Sequence, residues 1–240
     1  MARLTMKFGG TSVGSPDAIL QTTTILKDYL KAGDSVVVVV SAMSGVTDLL
    51  LRSAKAAVEA DKWTYMSINE EIREKHEEVI EQLIASSDER AVILNEIHEL
   101  LAGHMELCEA ISILREATPR ISDAIVSFGE RLSSRVIAQV LQHQGINAKQ
   151  YDSSQYIVTN NKFQHAEPIW DATDARIIDR LLPDIESGIT PIITGFIGST
   201  PDGTITTLGR GGSDFSAAIF AAHVNSDELI IWTDVDGVMT

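Results

Sequence analysis

The sequence predicts an α/β domain built on a mostly parallel sheet, and three observations predict it. Apolar, β-branched runs recur at 4–8, 35–43, 190–198 and 228–237. Segments with helical spacing of apolar residues stand between them. Glycine and hydroxyl residues fill the joints, as in folds whose sheet is covered by helices on both faces. The 240 residues suffice to bury roughly 70% of the unfolded surface, and no linker divides them into two domains.

LTMKF at 4–8 alternates and stops at Gly9-Gly10, and Ser15-Pro16 then opens a helix to Leu30. SVVVVVSAM at 35–43 is continuously apolar, which predicts an inner strand, followed by a helix over 49–60. From Trp63 to Ala117 the character changes to long charged helices, 70–84 and 89–114, with Gly103 a candidate interruption. They suit an antiparallel insertion over about 61–117 that projects from the body, contacts a second subunit, or simply covers the core. Pro119 opens a helix over 122–144 that Gly145 ends. Short strands are expected at 146–152 and 156–159. A helix after Pro168 is broken or ended by Pro183. TPIITGFIG at 190–198 reads as a strand, PDGT at 201–204 as a tight turn, 213–224 as an Ala-rich helix, and ELIIWTDVDG at 228–237 as a last inner strand.

Nineteen basic against 34 acidic side chains give a net charge of −15, which opposes binding to nucleic acid or to an anionic membrane. The valine run is too short to span a bilayer. The opening residues run straight into a strand and leave no secretory signal, so a cytoplasmic protein is expected. Cys108 alone excludes an internal disulfide and reads as a small buried residue. The histidines form no HExxH or Cys/His cluster, and no GxSxG occurs.

The chemistry concentrates in turns that follow strands, the edge where open α/β sheets bind ligands. In KFGGTS, Lys7 precedes Gly9 and Gly10, whose backbone N–H groups can approach an oxyanion; the order is not that of a Walker A loop. In TTLGRGGSD, Arg210 stands among glycines, including Gly211 and Gly212, with Ser213 and Asp214 at a helix start, where either can cap. Arg210 can clamp a carboxylate while Ser213 and the N–H groups hold phosphate. Asp214 can orient Lys7 or help hold a metal. SAMSGVT offers Ser41 and Thr47, with Ser44 and Asp48 readable as a plain turn before the helix. Glu130 sits among small residues in SFGERLSS, and either Arg131 or Arg135 pairs with it or it receives a substrate ammonium. Thr233 and Asp234 end the last strand near a nucleotide ribose or Mg²⁺, or form a turn. Two cationic nests point to chemistry between two anions.

In order along the chain, KFGGTSV, VVVVVSAMSGVT, SFGERLSS, TPIITGFIG, TTLGRGGSD and WTDVDG resemble the catalytic domain of the aspartate kinases, within the amino-acid kinase family. The resemblance implies a three-layer αβα sandwich and transfer of the γ-phosphoryl group of ATP, with Mg²⁺, to the side-chain carboxylate of L-aspartate. It puts Lys7, Gly9 and Gly10 against the transferring group, with Ser213 and Asp214 beside them. Ser41, Thr47, Glu130 and Arg210 fall around the amino acid, and Thr233 and Asp234 beside the nucleotide. It also implies a homo-oligomeric parent. The family carries a tyrosine two residues beyond the TDVDG glycine, where this chain has Met239, and a further nucleotide-site lysine and regulatory domains beyond Thr240. The 1–240 stretch is therefore expected to be a catalytic domain truncated at its C-terminus. Two alternatives stay open, a ligand-binding or assembly fragment and a relative acting on another small carboxylate.

Overall fold

In the computed structural model of the chain, residues 2–233 are described; Asp234 and Met239 lie outside them. The sheet is formed by β1 (Arg3–Phe8), β2 (Ser35–Val40), β3 (Ala148–Tyr151), β4 (Thr190–Thr194) and β7 (Glu228–Trp232), in the order β3-β4-β2-β1-β7. Every pairing in it is parallel. Phe8 is level with Val40 and Trp232, and Val40 with Thr194, so four strands end together along one edge.

The valine run shows why the fold has three layers. Strand side chains alternate between faces. Val36, Val38 and Val40 join a core under α1 (Pro16–Lys31), α2 (Val46–Val58), α3 (Lys62–Leu83), α4 (Ser87–Leu114) and α5 (Pro119–His143). Val37 and Val39 join a second core under α6 (Trp170–Arg176), α7 (Leu182–Glu186) and α8 (Gly212–His223). A strand buried on both faces has no place for a polar residue, and β2 carries none beyond Ser35.

Several expectations are corrected. Helices α3 and α4 do not project: Ile72, Ile80, Ile97 and Cys108 are buried against the rest of the first layer. Gly103 does not interrupt α4, and a Cβ there would make only an ordinary contact with the Phe128 ring, at 3.6 Å. Residues 156–159 form no ladder, only isolated bridges from Val158 to Ser199 and from Thr159 to Pro168, and the chain there is tied by side chains such as Thr173 Oγ1, 3.0 Å from the Val158 N–H. Pro183 does not end its helix. The ladder widens into a π turn over Ile177–Leu181 just before it, and the proline falls in the first turn of α7, where no N–H is needed.

The strand at 190–198 breaks after Thr194, and its second half, β5 (Ile197–Ser199), pairs antiparallel with β6 (Ile205–Thr207) across the PDGT turn. Gly203 has φ +85° there, a conformation glycine adopts without strain. Strand β7 is an edge rather than an inner strand among the described residues, with Ile231 exposed.

Candidate active site

A cavity of about 570 Å³ opens at the edge where the strands end. The turn after β1 contributes Lys7 and Gly10, and the turn after β2 contributes Ser41 and Thr47. Helix α5 contributes Glu130. The loop into α8 supplies Arg210, Gly211, Gly212, Ser213 and Asp214. Gly9 lies one residue outside the lining, and a Cβ on it would stand 3.6 Å from Lys7 Nζ. Thr233 lines a separate, smaller hollow with Trp232 and Phe8, on the α1 side.

Packing dictates much of this arrangement. A Cβ on Gly10 would sit 2.9 Å from the Ala42 carbonyl oxygen, so only glycine lets the first turn lie on the second. The Ser44 N–H donates to the Gly10 carbonyl across that contact, at 3.1 Å. A Cβ on Gly129 would meet the Ala42 methyl at 2.7 Å, so its absence brings α5 within reach of the same turn. Ser133 Oγ donates to the Ser41 carbonyl at 2.8 Å and completes the seam.

Glu130 is 4% exposed. Its Oε1 accepts from the Ala42 N–H at 3.2 Å, and its Oε2 has no partner. Neither neighbouring arginine neutralises it. Arg131 pairs with Asp152 at 2.7 Å and Arg135 with Glu96 at 3.4 Å, because the successive side chains of a helix point apart. Loss of hydration pushes the Glu130 carboxyl up to about 7, against the opposing pull of the Ala42 N–H. Glu130 thus lines the cavity with a buried carboxylate, one oxygen of which the protein leaves unpaired, and such a group is half of an ion pair.

Lys7, the cavity's more buried cation, is by contrast already paired, with Asp214. Lys7 Nζ lies 2.7 Å from Asp214 Oδ1, an ion-pair contact without hydrogen-bond alignment. Neither Ser213 nor Asp214 caps α8: the cap position is Gly211, at φ +76°, and no side chain bonds there. The Gly212 N–H is spent on the Gly209 carbonyl at 2.9 Å, and the N–H groups of Ser213 and Asp214, which no side chain caps, are left for a ligand. Helix α2 starts the same way, with Gly45 at φ +82° and no side-chain cap, so Ser44 and Asp48 do not make the expected turn bond. Arg210 is exposed.

Sequence reading missed other lining residues. Asp123 and Thr207 reach the cavity from α5 and from the end of β6, Gln164 from the loop before α6, and Leu51 and Phe196 give it apolar walls. No periodic signal marks them; Phe196 and Thr207 fall inside stretches already singled out, TPIITGFIG and TTLGRGGSD, without standing out from them. No group of three or more His, Cys, Asp or Glu able to hold a metal occurs among the described residues. No helix among them is long and apolar enough to cross a membrane.

The family model "Amino acid kinase family" matches residues 2–240. The chain belongs to the amino acid kinase family. Among family relatives, aspartokinase 1, chloroplastic, of Arabidopsis thaliana is 35% identical over 98% of this chain and 40% of its own length. The lysine-sensitive aspartokinase 3 of Escherichia coli is 34% identical over 98% of this chain and 49% of its own. A crystal structure of E. coli aspartokinase III in complex with aspartate and ADP superposes with a TM-score of 0.86 at 33% identity, covering 98% of this chain and 49% of that one. The chain thus spans about half the length, or less, of these family relatives.

Proposed function

We propose that this chain carries the catalytic centre of an aspartate kinase, transferring the γ-phosphoryl group of ATP to the side-chain carboxylate of L-aspartate. One observation carries the reading: the buried, half-engaged Glu130 shares a cavity with Lys7 and Arg210. An acceptor with an ammonium group for Glu130 and a carboxylate for the Arg210 fork is an amino acid. Lys7 and the uncapped start of α8 suit the phosphates. The relative solved with aspartate and ADP supports the same pairing.

The acceptor carboxylate has an ordinary pKa of about 3.9 and is already ionised at neutral pH, so the attack needs no general base. What remains is alignment and neutralisation. Glu130 and Arg210 hold the two ends of the amino acid, with Ser41 and Thr47 beside it. Lys7, kept in place by Asp214, faces the transferring phosphoryl group with Gly9, Gly10 and Gly211 to Ser213. Thr233 borders the nucleotide from the hollow it lines with Trp232 and Phe8. Mg²⁺ arriving on the phosphates would find Asp214 as its carboxylate, which fits an ion that takes one or two protein carboxylates and keeps its waters. It would neutralise charge on the β- and γ-oxygens.

The test uses the complete natural chain that contains this sequence. Incubation with ATP, Mg²⁺ and a panel of acids, with hydroxylamine to trap acyl phosphate, is expected to give aspartyl hydroxamate and matching ADP. Preference for glutamate or a carboxylate without an amino group would overturn the assignment. A homo-oligomeric, cytoplasmic protein is the accompanying expectation. Trp63 and Ile113, each 83% exposed on the α3–α4 layer, favour self-association, which sedimentation would check.

A further inference from the structure

Asp123 lies exactly seven residues before Glu130 on α5, two helical turns, so the two carboxylates share a face about 10 Å apart along the axis. Both line the cavity. Glu130 grips the turn after β2, whereas Asp123 grips the other side. Its Oδ2 accepts from the Gln164 N–H at 2.9 Å and the Thr207 N–H at 3.0 Å. Its Oδ1 accepts from Thr207 Oγ1 at 2.9 Å.

These two partners enclose the base of the arginine loop. Only Leu208 and Gly209 separate Thr207 from Arg210. Gly209, at φ +77°, is pressed against the Gln164–His165 segment, where a Cβ would lie 2.7 Å from His165 Nδ1 and 2.9 Å from the Gln164 carbonyl. The Leu208 N–H is spent on Phe196, and the Gly212 N–H returns to Gly209. The loop therefore rests on one side chain through both of its flanks.

Asp123 is 1% exposed and forms no ion pair among the described residues. Burying a carboxylate with hydrogen bonds but no cation is costly for stability. Three donors converge on it, from Gln164 and Thr207, and a carboxylate meets all three by accepting alone.

We infer that Asp123 is a positioning residue for the acceptor: by seating Thr207 and Gln164 on α5 it fixes the Arg210 loop at a set distance from Glu130, and so gauges the length of the amino acid held between them. The inference rests on the proposed acceptor site, and it makes α5 the ruler of that site.

The test compares Asp123→Ala, Asp123→Asn and Thr207→Val in the complete natural chain. Alanine leaves two buried N–H groups unmatched. Asparagine keeps an oxygen for them and can donate its NH₂ to Thr207 Oγ1. Thr207→Val removes one bond at constant shape and serves if the alanine variant does not fold. Expected for Asp123→Ala are a KM for aspartate raised tenfold or more, a KM for ATP within twofold, and weaker discrimination against glutamate. Hydrogen exchange should accelerate at 164 and 207–212 and not elsewhere. Asparagine should restore most of each, and Thr207→Val should move them in the same direction by a smaller factor. Unchanged exchange at 207–212, exchange raised uniformly over the molecule, or equal rises in both KM values would overturn the inference. Exchange needs no substrate, so an enzyme preferring another acid would overturn the proposed function while the loop result stood.

Discussion

Glu130 and His104 are both buried on long helices, and they differ in how many of their polar atoms the protein itself engages. Around His104, in the α2–α3–α4 layer, both ring nitrogens are engaged, although His76 Nε2 on α3 is buried without a partner. His104 Nδ1 meets Asn69 Oδ1 at 2.8 Å and its Nε2 meets Ser53 Oγ at 2.8 Å, with Cys108 Sγ alongside at 3.5 Å. Its ring also packs edge-on against Phe128. Burial lowers His104 to about 4 and raises the Cys108 thiol to about 11, so the histidine stays neutral and the thiol protonated at physiological pH. A nucleophile, a base and an amide at hydrogen-bond distance could be taken for a catalytic trio. With no cavity beside them and inert protonation states, they are internal cross-links between helices. At the cavity wall one oxygen of Glu130 is left open. Proximity of reactive groups does not mark a site as well as an unmet bond facing space.

The largest expected effect breaks the cavity side of this comparison. Glu130→Gln keeps the shape and the Ala42 bond but removes the charge that faces the ammonium. Truncating one member of a desolvated charge pair costs about 2–5 kcal/mol, so kcat/KM for aspartate should fall by roughly 30- to 4,000-fold. Thermal stability of the ligand-free variant at pH 8 should be equal or higher, because the free enzyme loses an uncompensated buried charge. Steady-state kinetics beside a melting curve checks both; loss of stability with intact aspartate kinetics would make Glu130 structural.

The layer should respond the other way. His104→Leu leaves Asn69 and Ser53 without their shared partner, and an orphaned buried polar group costs about 1–3 kcal/mol. Denaturant melts should register that loss, while KM for aspartate stays within twofold once the variant is folded. A variant that keeps its stability but loses aspartate affinity would tie the layer to the site through Phe128, and the contrast would fail.

Legibility in the sequence follows the same division. Glu130 could be found because a charge among Ser127, Gly129 and Ser133 stands out in an otherwise small-residue face. The alternating faces of the valine run and the glycine turns were legible for the same local reason. Asp123 was not: it reads as one more polar residue in the first turn of a helix, and its partners lie 41 and 84 residues away. The π turn before Pro183 and the break between β4 and β5 depend on what packs against them, which no window of the sequence contains. Even for residues that do line the cavity, some of the local reasons differ from those expected. Ser213 and Asp214 do not cap α8, and Gly10 is required by the Ala42 carbonyl whatever it does for a phosphate.

The smallest expected effect, at most about tenfold per pH unit, sharpens the comparison because the two regions respond to acid with opposite sign. Glu130 is raised from its ordinary 4.5 to about 7. Between those values the folded chain binds the proton more readily than the unfolded chain, so this group's stabilisation is present below 4.5 and is lost as pH rises towards 7, by about 3 kcal/mol at most. His76 and His104 are lowered from 6.5 to about 4, both by burial. Their contribution is full above 6.5 and is lost as pH falls through 4. Aspartate binding should report Glu130 alone. An ammonium must displace its proton below pH 7, so KM for aspartate should rise about five- to sixfold between pH 7 and 6 and approach tenfold per unit below that, with saturated kcat little changed. Lys7, Asp123, Arg210 and Asp214 share the cavity with it, so the assignment needs the control of Glu130→Gln, whose KM should be flat over that range. Calorimetry at pH 6 in two buffers of different ionisation enthalpy should find nearly one proton released per aspartate bound, and none in the variant. A sloping profile that survives Glu130→Gln would move the proton to another of these groups and leave the free oxygen of Glu130 without a role.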